Sequence, residues 1–98
     1  FKENCPDVRN TKVVDVISNL KGCGMNLTIF DPWANPSEVQ QVYQLETNQK
    51  LPDDTFDAIV LTVAHKEFTN LNLTPLLKSK SVVYDVKGVL GDKANAKL

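Results

Sequence analysis

Apolar and polar positions change rhythm several times along this chain, and each rhythm predicts an element. Val13, Ile17 and Leu20, with Val16 beside them, recur at helical spacing. Asn10 or Thr11 stands ahead of them as a cap for the unpaired first-turn amides, and Lys21-Gly22 supplies a basic last turn and a stop. A strand is predicted at about residues 25–30, where Met25, Leu27 and Ile29 alternate with Asn26 and Thr28 until Asp31-Pro32 ends it. A second helix start follows. Asn35 is the cap, Pro36 takes the first helical position, and Glu38 lies three residues after the cap, within reach of its amide. Val39, Val42 and Tyr43 give that helix one apolar face. The polar stretch "QLETNQKLPDD" leaves room for a short edge strand near Leu45.

From Ala58 to Ala64 the apolar run is continuous and β-branched, as a parallel strand covered on both faces requires. Thr74-Pro75 opens a short helix, "SVVYDV" reads as a further strand, and the tail "KGVLGDKANAKL" thins into small and polar residues and is expected to fray. Strands alternating with helices predict an α/β, Rossmann-like three-layer domain with a mostly parallel sheet. The first helix has no strand before it, only "FKENCPDVRN". The pattern therefore implies a strand upstream of Phe1 and a chain cut from a larger protein.

Composition narrows the function. Ninety-eight residues suit one domain, and 42% hydrophobic with 23% charged residues describe a globular chain. Eleven Lys and Arg against twelve Asp and Glu give a net charge of −1, so no electrostatic footprint for nucleic acid or an anionic membrane exists. No apolar run approaches the ~18 residues of a membrane helix. Cys5 and Cys23 form no Cys-x-x-Cys pair, and with a single His they assemble no zinc site. They read as free cytosolic thiols, and the sequons at Asn26 and Asn72 would matter only in a secreted protein.

In open α/β sheets ligands bind beyond the carboxyl ends of the strands. The loops leaving such ends are "FKENCPDVRN", "DPWANP", "AHKEF" and "DVKG", and they carry Lys2, Arg9, His65, Lys66 and Lys87. Cations gathered at one edge of a near-neutral domain point to an anionic ligand, phosphate first. Each residue also has a plainer role. A loop lysine is usually solvated, His65 is open to a structural hydrogen-bonding role, Arg9 has Asp7 and Asp31 as partners, and Asp85 is placed to cap a turn. Gly22 and Gly24 do not form a dinucleotide cradle, because they follow a helix instead of opening one. Cys5 has Lys2 and Arg9 nearby in sequence, yet no spacing supplies a second catalytic group, and Pro6 marks a shape-setting loop.

Taken together, "FKENCPDVRNTKVVDVI", "DPW", "DAIVLTVAHKEF" and "YDVKGVL" resemble the C-terminal domain of the UDP-glucose/GDP-mannose dehydrogenase family. The nearest branch oxidises UDP-N-acetylhexosamines (mannosamine, galactosamine or glucosamine) to uronates. The resemblance covers nearly the whole chain. It implies a cytoplasmic, homo-oligomeric parent enzyme that oxidises a sugar C6 alcohol to a carboxylate with two NAD, for capsule or surface polysaccharide synthesis. NAD would be held by a domain absent from this chain. So would the nucleophilic cysteine, which makes neither Cys5 nor Cys23 catalytic and the fragment alone inactive. The family's substrate-contacting lysine falls on Lys2, with Phe1 packing beside it. The arginine that one branch places on the diphosphate is Lys87 here, which keeps the charge without the bidentate fork. Lys2 and Lys87 are thus expected to converge on the diphosphate of a UDP-sugar, with Arg9 and His65 either on the substrate side or structural. A free-standing nucleotide-binding or regulatory α/β module is the alternative, separated from the first reading by the flanking sequence. A methyltransferase fragment would need a Gly-rich loop where "FKENCPDVRN" has no glycine.

Overall fold

Two local signals that the sequence carries strongly, the asparagine caps, each open a helix. In the computed structural model, which describes residues 1–91, Ala94, Ala96 and Lys97, helix α1 spans Thr11–Gly22 and α2 spans Pro36–Tyr43. Asn10 Oδ1 accepts the Val13 amide at 3.2 Å. Asn35 Oδ1 accepts the amides of Ser37 at 2.8 Å and Glu38 at 3.3 Å, with Pro36 at the helix start as expected. Two compact units result, Phe1–Leu51 and Pro52–Leu98.

The first unit holds both helices. Val13 and Ile17 are the buried residues of α1 and Val39 that of α2. Phe1 and Val8 are also buried in this unit. Gln44 ends α2 in the left-handed region, its amide donating to Gln40 O at 2.9 Å. The strand expected over residues 25–30 is not formed. Only Phe30 pairs, in a single parallel bridge to Asn48, flanked by Asp31 N to Asn48 O at 2.9 Å and Asn48 N to Ile29 O at 3.0 Å. The edge strand expected near Leu45 reduces to the same bridge, while Leu45 itself is buried. Alternation alone did not suffice, because a strand needs a partner along its length and Met25 lies exposed beyond the one that exists.

The second unit is built on a parallel sheet. Strands β1 (Phe56–Leu61), β2 (Leu77–Asp85) and β3 (Ala96–Lys97) lie in the order β1-β2-β3 with both pairings parallel, so the α/β class and the parallel sheet are as read. Ala58, Ile59, Val60 and Leu61 pair with Val82, Val83, Tyr84 and Asp85 in turn. An irregularity between Phe56 and Ala58 lets β2 start earlier than "SVVYDV" suggested. A helical turn α3 (Lys66–Thr69) and a 3₁₀ turn at Thr74–Leu76 connect β1 to β2. The tail does not simply fray, since Ala96 and Lys97 pair with Tyr84 and Asp85. The rest of that expectation falls in part on Asp92, Lys93, Asn95 and Leu98, outside the described residues.

Leu61, Leu73, Leu76, Val83 and Leu90 form the core of this unit. They lie on one side of the sheet or in the loops that fold against it. The expectation of cover on both faces is corrected by Val60 and Val82, which remain 40% and 44% exposed. The helical pieces within this unit are four and three residues long, too short to blanket a second face.

Candidate functional site

The opening segment folds as a tight turn. Cys5 N donates to Lys2 O at 3.2 Å, and Asn4 at φ 49° takes the left-handed position that the turn requires. Asparagine tolerates this conformation better than most side chains because its short amide bonds locally. Lys2 is thereby held at the rim and exposed, while Phe1 is 3% exposed and stacked on Tyr43. Cys5 is half-buried in the turn and Cys23 is exposed beyond α1. Arg9 is paired with Asp7. Its Nε and Nη2 donate to the Asp7 carboxylate at 3.1 and 2.8 Å, and its amide adds a bond at 2.9 Å. The guanidinium and that backbone bond hold the Asp7 carboxyl well below the usual carboxylate range.

Asp31 closes the "DPW" loop from inside. It is buried, and its Oδ1 accepts the amides of Trp33 at 2.8 Å and Ala34 at 3.0 Å, while Oδ2 meets the Phe1 amino group. Burial alone would raise this carboxyl. The amides of Trp33 and Ala34 act against that rise.

In the second unit His65 and Lys87 both follow the carboxyl ends of β1 and β2, adjacent parallel strands held there by Val86 N to Leu61 O at 3.0 Å. His65 is fully buried at the start of α3, edge-on to Phe68 at 5.3 Å, with its carbonyl accepting the Phe68 amide. Lys66 is exposed in the first position of α3, a helical turn where a loop was expected. Lys87 is exposed in the turn after β2.

That turn is governed by a residue the sequence marked only as a turn cap. Asp85 is 0% exposed, and both of its oxygens are committed to the loop. Oδ1 accepts the amides of Lys87 at 3.1 Å and Gly88 at 2.8 Å, and Oδ2 accepts that of Leu90 at 2.8 Å. Desolvation pushes its carboxyl up, but the amides of Leu90, Gly88, Lys87 and Val89 together bring it below its ordinary value. Gly88 at φ 72° and Gly91 at φ 59° supply the left-handed steps. The only sequence signal for this arrangement is an aspartate at a strand end followed by a glycine three residues on.

Lys2, Phe1 and Arg9 thus belong to the first unit, and His65, Lys66 and Lys87 to the second. Among the described residues no group of His, Cys, Asp and Glu is placed to hold a metal ion. Gly22 ends α1 and Gly24 follows it, so no glycine-rich turn opens a helix there and these residues do not fit a dinucleotide pyrophosphate. No helix of the described residues is long and apolar enough to cross a membrane.

Residues 1–92 match the UDP-glucose/GDP-mannose dehydrogenase family, UDP binding domain. The chain is 39% identical over 102 residues to UDP-N-acetyl-D-glucosamine 6-dehydrogenase of Pseudomonas aeruginosa, covering 100% of this chain and 24% of that protein. It is 38% identical over 93 residues to the Salmonella typhi protein of the same name, and 35% over 92 residues to Protein CapL of Staphylococcus aureus. Each of these two alignments takes in 92% of this chain and 22% of the relative. The chain therefore spans about a quarter of the length of the curated relatives it matches. No solved structure gives a significant match. The resemblance read from "FKENC", "DPW" and "YDVKG" is thus a family membership: this chain belongs to the UDP-glucose/GDP-mannose dehydrogenase family, as its UDP binding domain.

Proposed function

We propose that this chain grips the nucleotide sugar in an NAD-dependent UDP-sugar 6-dehydrogenase, one that oxidises the C6 alcohol of a UDP-N-acetylhexosamine to a carboxylate. The observation that carries this reading is Lys87, an exposed cation on a rigid turn at the carboxyl end of a parallel strand, in a UDP binding domain. Lys2 is the second contact, presented by the turn that Asn4 and Cys5 close. Phe1, stacked on Tyr43 and next to Lys2 in the chain, acts by fixing its backbone. Both lysines bind the substrate's anionic portion as point charges, each through charge-assisted hydrogen bonds.

NAD is bound outside these residues, and the chain's own share of the work is to hold and orient the UDP-sugar. The names of the relatives favour the glucosamine-derived substrate, and the similarity to CapL favours a role in capsule synthesis. A cytoplasmic, homo-oligomeric enzyme is consistent with that role.

Steady-state kinetics on the full-length protein test the assignment. A charge-assisted hydrogen bond contributes roughly 1.5–3 kcal/mol, so Lys2→Ala or Lys87→Ala should weaken UDP-sugar binding about tenfold to a hundredfold. NAD affinity should stay nearly constant. Unchanged Michaelis constants for every UDP-sugar tried, or a defect confined to NAD, would remove these lysines from the substrate site.

A further inference from the structure

We propose that Asp85 is a positioning residue for Lys87: its buried carboxylate fixes the backbone of the turn that presents the lysine, and so sets UDP affinity without touching the ligand. The inference rests on the reading of Lys87 as a substrate contact.

The root of Asp85 is fixed from both sides. Its backbone pairs with Leu61 of β1 and with Lys97 of β3, so the Cα cannot move without opening the sheet. The side chain then reaches forward into the loop that follows. Amides two, three and five residues ahead, those of Lys87, Gly88 and Leu90, all converge on it. An ionised carboxylate has only acceptor sites, and here those sites gather three donors from one loop. Lys87 and Gly88 are themselves exposed, so it is the carboxylate that orders their backbone. The buried negative charge is met by these N–H groups, whose dipoles point at it.

The same device occurs at Asp31, where Oδ1 gathers the amides two and three residues ahead. There the residue delivered at the second position is Trp33, whereas at Asp85 it is the lysine. A carboxylate of this kind therefore shapes a turn, and the side chain carried at its second position decides what the turn does.

A purely structural aspartate would stabilise the fold and leave the lysine's contribution intact, so a double-mutant cycle separates the two roles. The protein is the full-length chain and the probe is UDP, titrated calorimetrically. Asp85→Asn keeps the shape but turns one acceptor into an N–H₂ donor facing backbone donors. With Lys87 present, Asp85→Asn should raise the UDP Kd about threefold to thirtyfold, within the span over which neighbours in one network couple. With Lys87→Ala in place, the same change should move Kd by less than about twofold. Equal factors in both backgrounds, or no change from Asp85→Asn alone, would overturn the positioning role. If Lys87→Ala leaves UDP binding unchanged, the reading of Lys87 fails instead.

Should Asp85→Asn not fold, Gly88 probes the same turn. Its φ of 72° strains a Cβ although the space around it is open. Gly88→Ala should weaken UDP binding only when Lys87 is present, and Gly88→Asn should restore much of it, because asparagine tolerates the left-handed region. A Gly88→Ala protein that binds UDP as tightly as wild type would equally refute the proposal.

Discussion

Phe1 lies parallel to Tyr43, with planes within 5° and ring centroids 5.8 Å apart, an offset stack inside the first unit. Tyr43 closes α2, and its hydroxyl donates to Val8 O at 2.7 Å. The chain on either side of Lys2 is thereby tied to the second helix. The aromatic residue beside the lysine acts as an anchor for the turn that presents it.

That arrangement makes the Tyr43 hydroxyl a stability element. Removing this part-buried hydroxyl should cost about 1 kcal/mol, because its bond to the Val8 carbonyl is lost while that carbonyl still accepts the Asn10 amide at 3.1 Å. Tyr43→Phe should lower the free energy of unfolding by that amount in urea, with an unchanged denaturant slope. Tyr43→Ala should cost about 3 kcal/mol or more, since the stacked ring is lost as well. A Tyr43→Phe protein as stable as wild type would show that the bond to Val8 contributes nothing net.

Asn4 carries the next expectation. With φ at 49° it sits where a β-branched side chain is strained, so Asn4→Val should destabilise the turn by about 1–2 kcal/mol while Asn4→Gly stays within about 0.5 kcal/mol. The neighbouring Cys5 contributes its amide to the same turn, and that amide survives substitution. Cys5→Ser should therefore retain most dehydrogenase activity in the full-length protein. A loss of several orders of magnitude with folding intact would place the nucleophile in this loop after all.

The helix caps were legible because they are local. Asn10 and Asn35 each sit within three residues of the amides they accept, so sequence spacing nearly determines the bond. Asn35→Ala should cost about 1 kcal/mol by thermal or urea unfolding, and Asn35→Asp should recover most of it. Equal stability of Asn35→Ala and wild type would contradict the cap's role.

What the sequence did not disclose depends on partners distant along the chain. Met25, Leu27 and Ile29 alternate as a strand should, yet only Phe30 finds a bridge, at Asn48. The run from Ala58 to Ala64 was read as doubly covered, whereas its pairing with β2 leaves Val60 and Val82 exposed. Only the resemblance singles out Lys2 and Lys87 among the loop cations, since isolated lysines in loops carry no pattern of their own. Asp85 was visible as an aspartate at a strand end. Its burial, and the convergence of three amides on it, arise only when the loop folds back.

Asp85 also predicts a pH dependence of stability whose sign is fixed by its downward shift. In the unfolded chain its carboxyl titrates near pH 4, about the ordinary aspartate value. In the folded protein desolvation works to raise it, but four backbone amides prevail and it titrates lower. Between those two values the unfolded state binds the proton and the folded state does not, so protonation favours unfolding. The stabilisation from this carboxylate is therefore complete above about pH 4 and is lost as pH falls through the folded value. Asp85→Asn removes the titration while keeping the volume. The stability difference between wild type and Asp85→Asn should be constant from pH 7 to about pH 5, then shrink as pH drops further. Asp7 is also shifted downward, but it is common to both proteins and cancels in the difference. Urea unfolding of the pair between pH 7 and pH 3 measures it directly. A difference that stays constant down to about pH 3, or grows on acidification, would mean that the Asp85 charge is not what the turn is built around.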